Sequence, residues 1–530
     1  MRAMYKKYRA FAAGWLIASV AALTVLAAPA PARAQSVLKA HQALNEWKLD
    51  EARRQLQGAE AQDPASVELL AVKARMAFFS GDYKEGLTLI EQALTQAPKR
   101  PEFLELRALI KSTHQVTSRY EKHTSPSGRF IVYVEPGKDR VLVPYAFEAL
   151  ERAYDSIALE LGYKPPTPIR VEVYPRTSTL AAVSSLTEAE IRTSGTIALC
   201  KYNRLMITSP KALARGYEWV DTLVHEYVHY AINHKASRVP IWMHEGMAKF
   251  LERRWRGPDA YRLPPSSEHL LAERVAGKGK LITFEQMHPS MAKLPSQEDA
   301  AVAFAEVFTV MEYLRKKLGE GAFGKVLDHI NAGLDAKTAF ALALSTTFEE
   351  FERVWMAYLK QRPRVKFPDE SGFDDRLVFK EGDTAPKTLD QLPKPAARDH
   401  VHLGELLQAR GRHEAAVAQY RKASHLMGDT HPIVQTRLAQ SLLALNRPKD
   451  ALDALQGVKA AYPSYVQTWI QLGRASLATG DPTAALDALT EAARINPFDP
   501  EIHLLLIQAY TKLGRKKELA VAKANLALVK

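Results

Sequence analysis

At 530 residues the chain is longer than one hydrophobic core organises, so roughly two to four domains are expected. Its 47% hydrophobic and 25% charged residues are those of a soluble globular protein, which excludes wholesale disorder and a polytopic membrane protein. The net charge of +13 comes without a dense Lys/Arg block or interleaved aromatic platform, which argues against nucleic acid as a partner, and a single cysteine, Cys200, excludes an intramolecular disulfide.

The chain opens with Arg2, Lys6, Lys7 and Arg9, an apolar run from Phe11 to Ala28, then Pro29, Pro31 and Ala32-Arg33-Ala34. A basic start, an apolar stretch and a small-residue site predict a secretory signal peptide over 1–34, cut after Ala34, with the mature protein periplasmic or secreted. An uncleaved anchor is the alternative, because 18 apolar residues just reach across a bilayer, but the prolines and the cleavage site favour removal. The leader carries five of the positive charges and no negative one, leaving +8 on the rest, compatible with some association with the cell envelope.

Residues 36–115 repeat themselves: WKLDEARRQL and GDYKEGLTLIEQAL place Ala52 and Gly86 in one position of a 34-residue helical unit. The texture changes over 120–362. Short β-rich runs come first, FIVYV (130–134), IRVEVY (169–174) and TIALCKYNRLMIT (196–208), and helical patterns dominate after about 215.

Residues 217–234, YEWVDTLVHEYVHYAINH, contain no Gly or Pro and are apolar on nearly all sides, as a buried helix is. On such a helix His225 and His229 lie on one face, one turn apart and in reach of one ion, while Glu226 is rotated about 100° around the axis. Polar groups facing into an apolar helix cost several kcal/mol unless satisfied, and a metal ion with its water satisfies them together. The next helix begins with Trp242-Met243-His244-Glu245-Gly246, after the turn-forming Ser237-Arg238-Val239-Pro240. Glu245, His244 and, more loosely, His234 are candidates for a third ligand, and a His₂Glu set with an open fourth position is the geometry of catalytic zinc.

This array resembles the gluzincin zinc metallopeptidases, specifically the peptidase-MA-like group, in which H-E-x-x-H is followed by W-L-x-E-G-x-A. The resemblance implies an α+β metallopeptidase domain with a small N-terminal sheet followed by helices. It implies one zinc ion held by His225, His229 and Glu245, with Glu226 as general base in peptide-bond hydrolysis. It also implies that an edge strand within SGTIALCKYNRLMITSP, just before the metal-binding helix, holds an extended substrate. His244 is then left as a neighbouring surface, substrate-contacting or supporting group.

Two positions depart from the family pattern. A later helix commonly supplies an oxyanion-stabilising tyrosine where AFAEVFTVMEYL (303–314) has Phe304; Tyr202, Tyr230 and His288 are other donors, with no spacing argument to choose among them. Lys249 stands where many relatives carry an acid that orients a ligand histidine, which leaves Asp221, one turn before His225, as a candidate orienter.

GEGAFG (319–324) matches a nucleotide-binding pattern, but it follows the helical YLRKKL rather than a strand and reads as a loop between helices. A Pro- and Asp-rich stretch, 363–398, reads as a linker. Beyond it, over 399–530, Ala416, Ala451 and Ala485 recur at intervals of 35 and 34 residues, and Gly480 and Gly514 repeat the step. Both end segments resemble tetratricopeptide repeats, whose stacked helix pairs grip peptides or partner proteins. The expected activity is therefore peptide hydrolysis on segments delivered by the repeats. The alternative is a repeat scaffold or chaperone-like binding protein whose metal-binding domain has lost most activity.

Overall fold

The computed structural model describes residues 32–61, 63–291, 294–363, 367, 373, 377–380 and 388–530. The apolar leader lies outside the described residues apart from its last three positions, and the cleavage point expected after Ala34 falls in the first turn of the first described helix. No helix among the described residues is long and apolar enough to cross a membrane.

Five helices form the N-terminal part: α1 (Ala32–Asn45), α2 (Leu49–Glu60), α3 (Val67–Ser80), α4 (Tyr83–Gln96) and α5 (Pro101–Thr117). Ser66 and Asp82 cap α3 and α4 by accepting backbone N–H groups of Leu69 and Glu85. The recurring small residues have a packing cause. Ala52 is fully buried, and a Cβ on Gly86 would stand 3.1 Å from the Ala74 carbonyl oxygen, so α3 and α4 approach at backbone distance only because position 86 is glycine.

A five-stranded sheet follows, built from β1 (Glu121–Thr124), β2 (Phe130–Val134), β3 (Ile169–Tyr174), β4 (Ala198–Lys201) and β5 (Arg204–Thr208) in the order β1-β2-β3-β5-β4. β2, β3 and β5 run parallel, with antiparallel strands β1 and β4 at the two edges. The predicted β-run 196–208 is the β4–β5 hairpin, closed by Tyr202 and Asn203, both left-handed at φ +56° and +58°.

α6 (Val143–Leu161) and α9 (Trp219–Lys235) pack on one face of the sheet, against Val132, Val171, Val173, Leu205 and Ile207. The other face meets α7 (Thr177–Ala182), α8 (Glu188–Ser194) and the N-terminal repeats. There the fully buried Glu172 accepts from the Tyr83 and Tyr174 hydroxyls and from Arg170 Nε at 2.6 Å, with Arg204 Nε 3.1 Å away. β3 alternates Ile169, Val171 and Val173 with Arg170, Glu172 and Tyr174, yet because it is covered on both faces nearly all six are buried.

The helical remainder comprises α10 (Ile241–Leu251), α11 (Pro265–Val275), α12 (Gln297–Leu318), α13 (Ala322–Asn331), α14 (Ala336–Ala343) and α15 (Phe348–Gln361). Gly319 and Gly321, from the nucleotide-like pattern, sit in the turn between α12 and α13 at φ +77° and +83°. Eight further helices form consecutive antiparallel pairs: α16 (Pro395–Ala409), α17 (His413–Met427), α18 (Pro432–Ala444), α19 (Pro448–Ala461), α20 (Val466–Ala478), α21 (Pro482–Ile495), α22 (Pro500–Leu513) and α23 (Lys516–Val529). Proline begins five of them, where its missing N–H costs nothing, and Ala416, Ala451 and Ala485 are fully buried between the paired helices.

The stretch read as a linker differs from that expectation. Its last residues already belong to α16, Leu213 and Phe379 form a β-bridge with Ala214 N–H donating to the Val378 carbonyl at 2.9 Å, and Phe379 is buried. Phe379, Leu392 and Ala397 are buried while Pro363, Lys380 and Pro393 are exposed, so the segment is packed at particular apolar residues.

Candidate metal centre

α9 owes its length to the absence of Gly and Pro from Trp219 to Lys235, and its burial to Trp219, Leu223, Val224, Tyr227, Val228 and Ile232. The chain then reverses through Arg238, at φ +69°, and Pro240, which N-caps α10. Gly246 lets α10 lie tight between α9 and α12: a Cβ there would stand 3.0 Å from the Met311 side chain and 3.1 Å from the Val307 carbonyl oxygen. The glycine after Glu245 thus has a packing reason, and it fixes how far the carboxylate projects.

Glu245, His225 and His229 converge. The two Nε2 atoms are 3.1 Å apart, and Glu245 Oε2 lies 3.3 Å from that of His225 and 3.5 Å from that of His229. An ion about 2.0–2.1 Å from each of three tetrahedral donors requires donor separations of about 3.3 Å, so this nearly equilateral triangle fits zinc. The three form a metal-capable group among the described residues. Burial works against a charged Glu245, but His229 and His225 outweigh it and hold the carboxyl well below its usual range.

The outer nitrogens are held as well. His225 Nδ1 lies 3.2 Å from Glu252 Oε2, and Lys249 Nζ donates to Glu252 Oε1 at 2.6 Å. His229 Nδ1 lies 2.7 Å from His244 Nδ1, and His244 Nε2 lies 3.2 Å from Asn233 Oδ1. If His229 turns an unprotonated Nε2 toward the triangle, its Nδ1–H donates to His244, whose remaining proton on Nε2 goes to Asn233. Burial, reinforced by His229, pushes the His244 pKa down to about 3, which keeps that ring neutral as the chain of donors requires. His244 is thus a partner of His229 rather than a surface group, and it is not part of the triangle.

Asp221 does not orient His225. It accepts from Trp255 Nε1 at 2.9 Å, Arg256 Nε at 2.8 Å and Arg253 Nη1 at 2.6 Å, all from the turn after α10. Those arginines hold it ionised against its burial. The orienting carboxylate is Glu252, seven residues after Glu245 and so on the same face of α10 two turns on. Sequence reasoning missed it by searching only the usual position, where Lys249 stands. An acid at a further helical repeat was the available signal.

Glu226, buried beside the triangle, has a hydrogen-bond partner in the Cys200 backbone. Thr208 N–H donates to the Ile197 carbonyl, which places 197, 199 and 201 in the hydrogen-bonding register with β5 and turns the N–H and C=O of Ala198 and Cys200 outward. The edge strand therefore presents its Cys200 N–H to α9. Burial, with Glu245 adding to it, pushes the Glu226 carboxyl above its usual range, against the two histidines.

Of the proposed oxyanion donors, Tyr202 packs against Phe78 and Phe79 of α3, Tyr230 packs against Trp47 and His234, and His288 is exposed. His234 bonds Asn203 at 2.9 Å and stays outside the triangle. Phe304 packs against the core beside α10.

The architecture is that of a mostly helical, repeat-flanked protein with a small mixed sheet and a His₂Glu cluster on two packed helices. Tetratricopeptide-repeat family models match residues 43–110, 400–422, 436–500 and 470–529, so the chain carries tetratricopeptide repeats in both its end segments. No curated protein sequence matches the chain. Among solved structures, a thermophilic tetratricopeptide-repeat protein of Thermus thermophilus is 30% identical, covering 25% of this chain and 74% of its own, with a TM-score of 0.23. Leukotriene A4 hydrolase of Saccharomyces cerevisiae is 14% identical, covering 77% of this chain and 67% of its own, with a TM-score of 0.31. The yeast enzyme's bestatin complex gives 13% with the same coverage and a TM-score of 0.28. Scores of this size fall short of a shared overall fold and do not bear on the chemistry of the site.

Proposed function

We propose that the chain is an exported zinc-dependent metallopeptidase that hydrolyses peptide bonds, its tetratricopeptide repeats binding the substrate or a partner protein. The observation that carries this reading is the donor triangle of His225, His229 and Glu245 with Glu226 one residue along the same helix, facing an edge strand. Zinc bound there supplies Lewis acidity to water and to a peptide carbonyl. Glu226 is suited to receive a proton, because burial raises its affinity for one and the Cys200 N–H fixes its carboxylate. The outward backbone groups of Ala198 offer an extended peptide one further rung of the sheet beside Glu226. The leader of residues 1–34 supports export to the periplasm.

Metal analysis of the purified protein should find about one zinc per chain, lost in His229→Ala. Cleavage of a peptide library should fall about 10²- to 10⁴-fold in Glu226→Gln. Equal cleavage by both proteins, or none by either, would overturn the peptidase reading. A second reading, a metal-binding scaffold with little activity, is favoured by Phe304, which has no hydroxyl, and by the packing of Tyr202 and Tyr230 against rings of the N-terminal part.

A further inference from the structure

The C-terminal repeats hold a piece of their own chain. Phe373, from the segment between the metal domain and the repeats, sits among three aromatic residues at the junctions of successive helices: His431 before α18, Tyr462 at the end of α19 and Tyr465 before α20. The ring centroids are 5.9, 5.1 and 5.4 Å away at interplanar angles of 84°, 75° and 81°, so each neighbour meets Phe373 edge to face. The Arg215 guanidinium, four residues before α9, covers the ring at 4.9 Å and also bonds the Gln391 side chain. Phe367, six residues earlier, meets Tyr462 at 5.4 Å. His431 and Tyr462 are almost wholly buried, and they belong to the repeats rather than to the segment.

This is an aromatic cage holding one phenylalanine that stays half-buried, built at the seam where the repeats meet the domain of the His₂Glu cluster. The same seam is fixed by Tyr217 N–H donating to the Ile495 carbonyl and by Arg256 gripping Glu491 of α21. The sequence around the occupant is FPDESGFDDR, residues 367–376, with four acids and one base. On the cage side the positive charge over the ring is Arg215, which also acts on the Tyr465 hydroxyl, while Arg437 nearby is paired with Glu405 at 3.2 Å.

We propose that this cage is a docking site for acidic protein segments carrying a phenylalanine, and that in the free protein Phe373 occupies it and competes with such partners. The inference names the partner chemistry of the C-terminal repeats and rests on their proposed role in binding protein segments. It does not depend on metal binding or hydrolysis.

The test uses the full chain and a fluorescein-labelled FPDESGFDDR peptide followed by anisotropy. Phe373→Ala empties the cage and removes a tethered competitor whose effective concentration is of millimolar order, so the variant should bind the peptide at least tenfold more tightly than the unaltered protein. Adding Tyr462→Ala or Arg215→Glu to Phe373→Ala should abolish that gain, and a peptide with alanine in place of its second phenylalanine should not bind. Equal binding by Phe373→Ala and the unaltered protein, or binding indifferent to that phenylalanine, would overturn the proposal. A second measurement needs no substitution: millimolar unlabelled peptide should speed hydrogen exchange in residues 363–380 of the unaltered protein while 460–467 stay protected. Unchanged exchange in 363–380 would count against it equally. Failure of either measurement leaves the zinc content and the Glu226→Gln comparison untouched, so the two readings fail separately.

Discussion

Glu252, half-buried at the end of α10, and Asp221, buried in the first turn of α9, are both carboxylates beside the cluster, and they do different work. Glu252 bonds the outer nitrogen of His225, whereas Asp221 ties the start of α9 to Trp255, Arg253 and Arg256. Glu252→Ala should therefore weaken zinc binding about 10- to 100-fold, because the ring loses its orientation and basicity. Asp221→Asn should leave zinc affinity nearly unchanged yet lower stability by roughly 1–3 kcal/mol, since Trp255, Arg253 and Arg256 lose a charged acceptor in a buried place while Arg253 keeps Glu218 and Arg256 keeps Glu491. Competition with a zinc-chelating dye and urea denaturation measure the two effects, and the reverse pattern would refute the assignment. In the metal-free protein, burial disfavours a charged His225, but Glu245, Glu252 and Glu226 outweigh it and push the pKa up to about 10. Between pH 6 and 8 that ring is protonated, and zinc can bind only after the proton leaves. Apparent affinity should thus rise about tenfold per pH unit, with about one proton released per zinc, measurable by calorimetry in buffers of different ionisation enthalpy. The ligand candidates were legible in the sequence because i and i+4 on a helix share a face. Glu252 was not, because an acid moved from the fourth to the seventh position along α10 still reaches the same ring only if the two helices cross closely.

α9 and α10 make that crossing, and α12 backs α10 through a close local contact. Gly246 admits the Val307 carbonyl, and α12 supports this contact with a core of Val302, Ala303, Ala305, Val307, Val310 and Met311. The three strand runs and the helix bearing His225 and His229 were legible from composition and the absence of breakers. The tight α10–α12 contact was not, since a glycine inside a helix reads as a weakness until its neighbour is known. α12 also carries a polar residue that its pattern does not explain. Glu306, 1% exposed, accepts the Ile282 N–H at 2.9 Å and thereby anchors the irregular stretch before α12. Burial pushes its pKa up to about 8, against that hydrogen bond and Arg274. A carboxyl that stays protonated in the folded chain while its unfolded counterpart ionises near pH 4.5 makes the unfolded state lose protons first. Stability from this group is therefore present below about pH 4.5 and is lost as pH rises toward 8. Glu306→Gln keeps an acceptor for Ile282 and cannot ionise, so it should match the unaltered protein near pH 4.5 and exceed it by ~2–5 kcal/mol at pH 8. Thermal melts at the two pH values decide this, and a gain of the same size at both would sink the argument.

Across the whole molecule, the helical periods announce repeats, but what joins them to the domain carrying the His₂Glu cluster is hidden in residues that a sequence reader assigns to solvent. Arg256 and Glu491 form an ion pair between the turn after α10 and α21, with Arg494 of α21 stacked 4.8 Å from the Trp255 ring, and Arg256 also holds Asp221 at the start of α9. On the opposite side, Tyr83 of the N-terminal repeats reaches the sheet by donating to Glu172 and accepting from Arg204 Nη1 at 2.9 Å, with Arg170 and Arg204 also on Glu172. Charged and hydroxyl side chains at such joints have no apolar period, so neither docking was legible, although every helix taking part was. The joints have a measurable consequence. Burial opposes ionisation of Glu172, yet Arg204 and Arg170 hold its carboxyl low, so the network is a buried ion cluster rather than a neutral hydrogen bond. Glu172→Gln preserves shape and leaves both guanidiniums without a counter-charge, which should cost roughly 3–5 kcal/mol. Asp155→Asn removes a partner of Arg129 and Lys164 on the exposed face of α6 and should cost under about 1 kcal/mol. If the cluster is what fixes the N-terminal repeats to the sheet, Glu172→Gln should also speed hydrogen exchange at the start of α4 and in the β4–β5 turn, where Tyr202 packs on Phe78, while α9 and α10 keep their protection. A loss of stability spread evenly over the chain would instead make Glu172 a support of the sheet alone, with the repeats held by their apolar contacts.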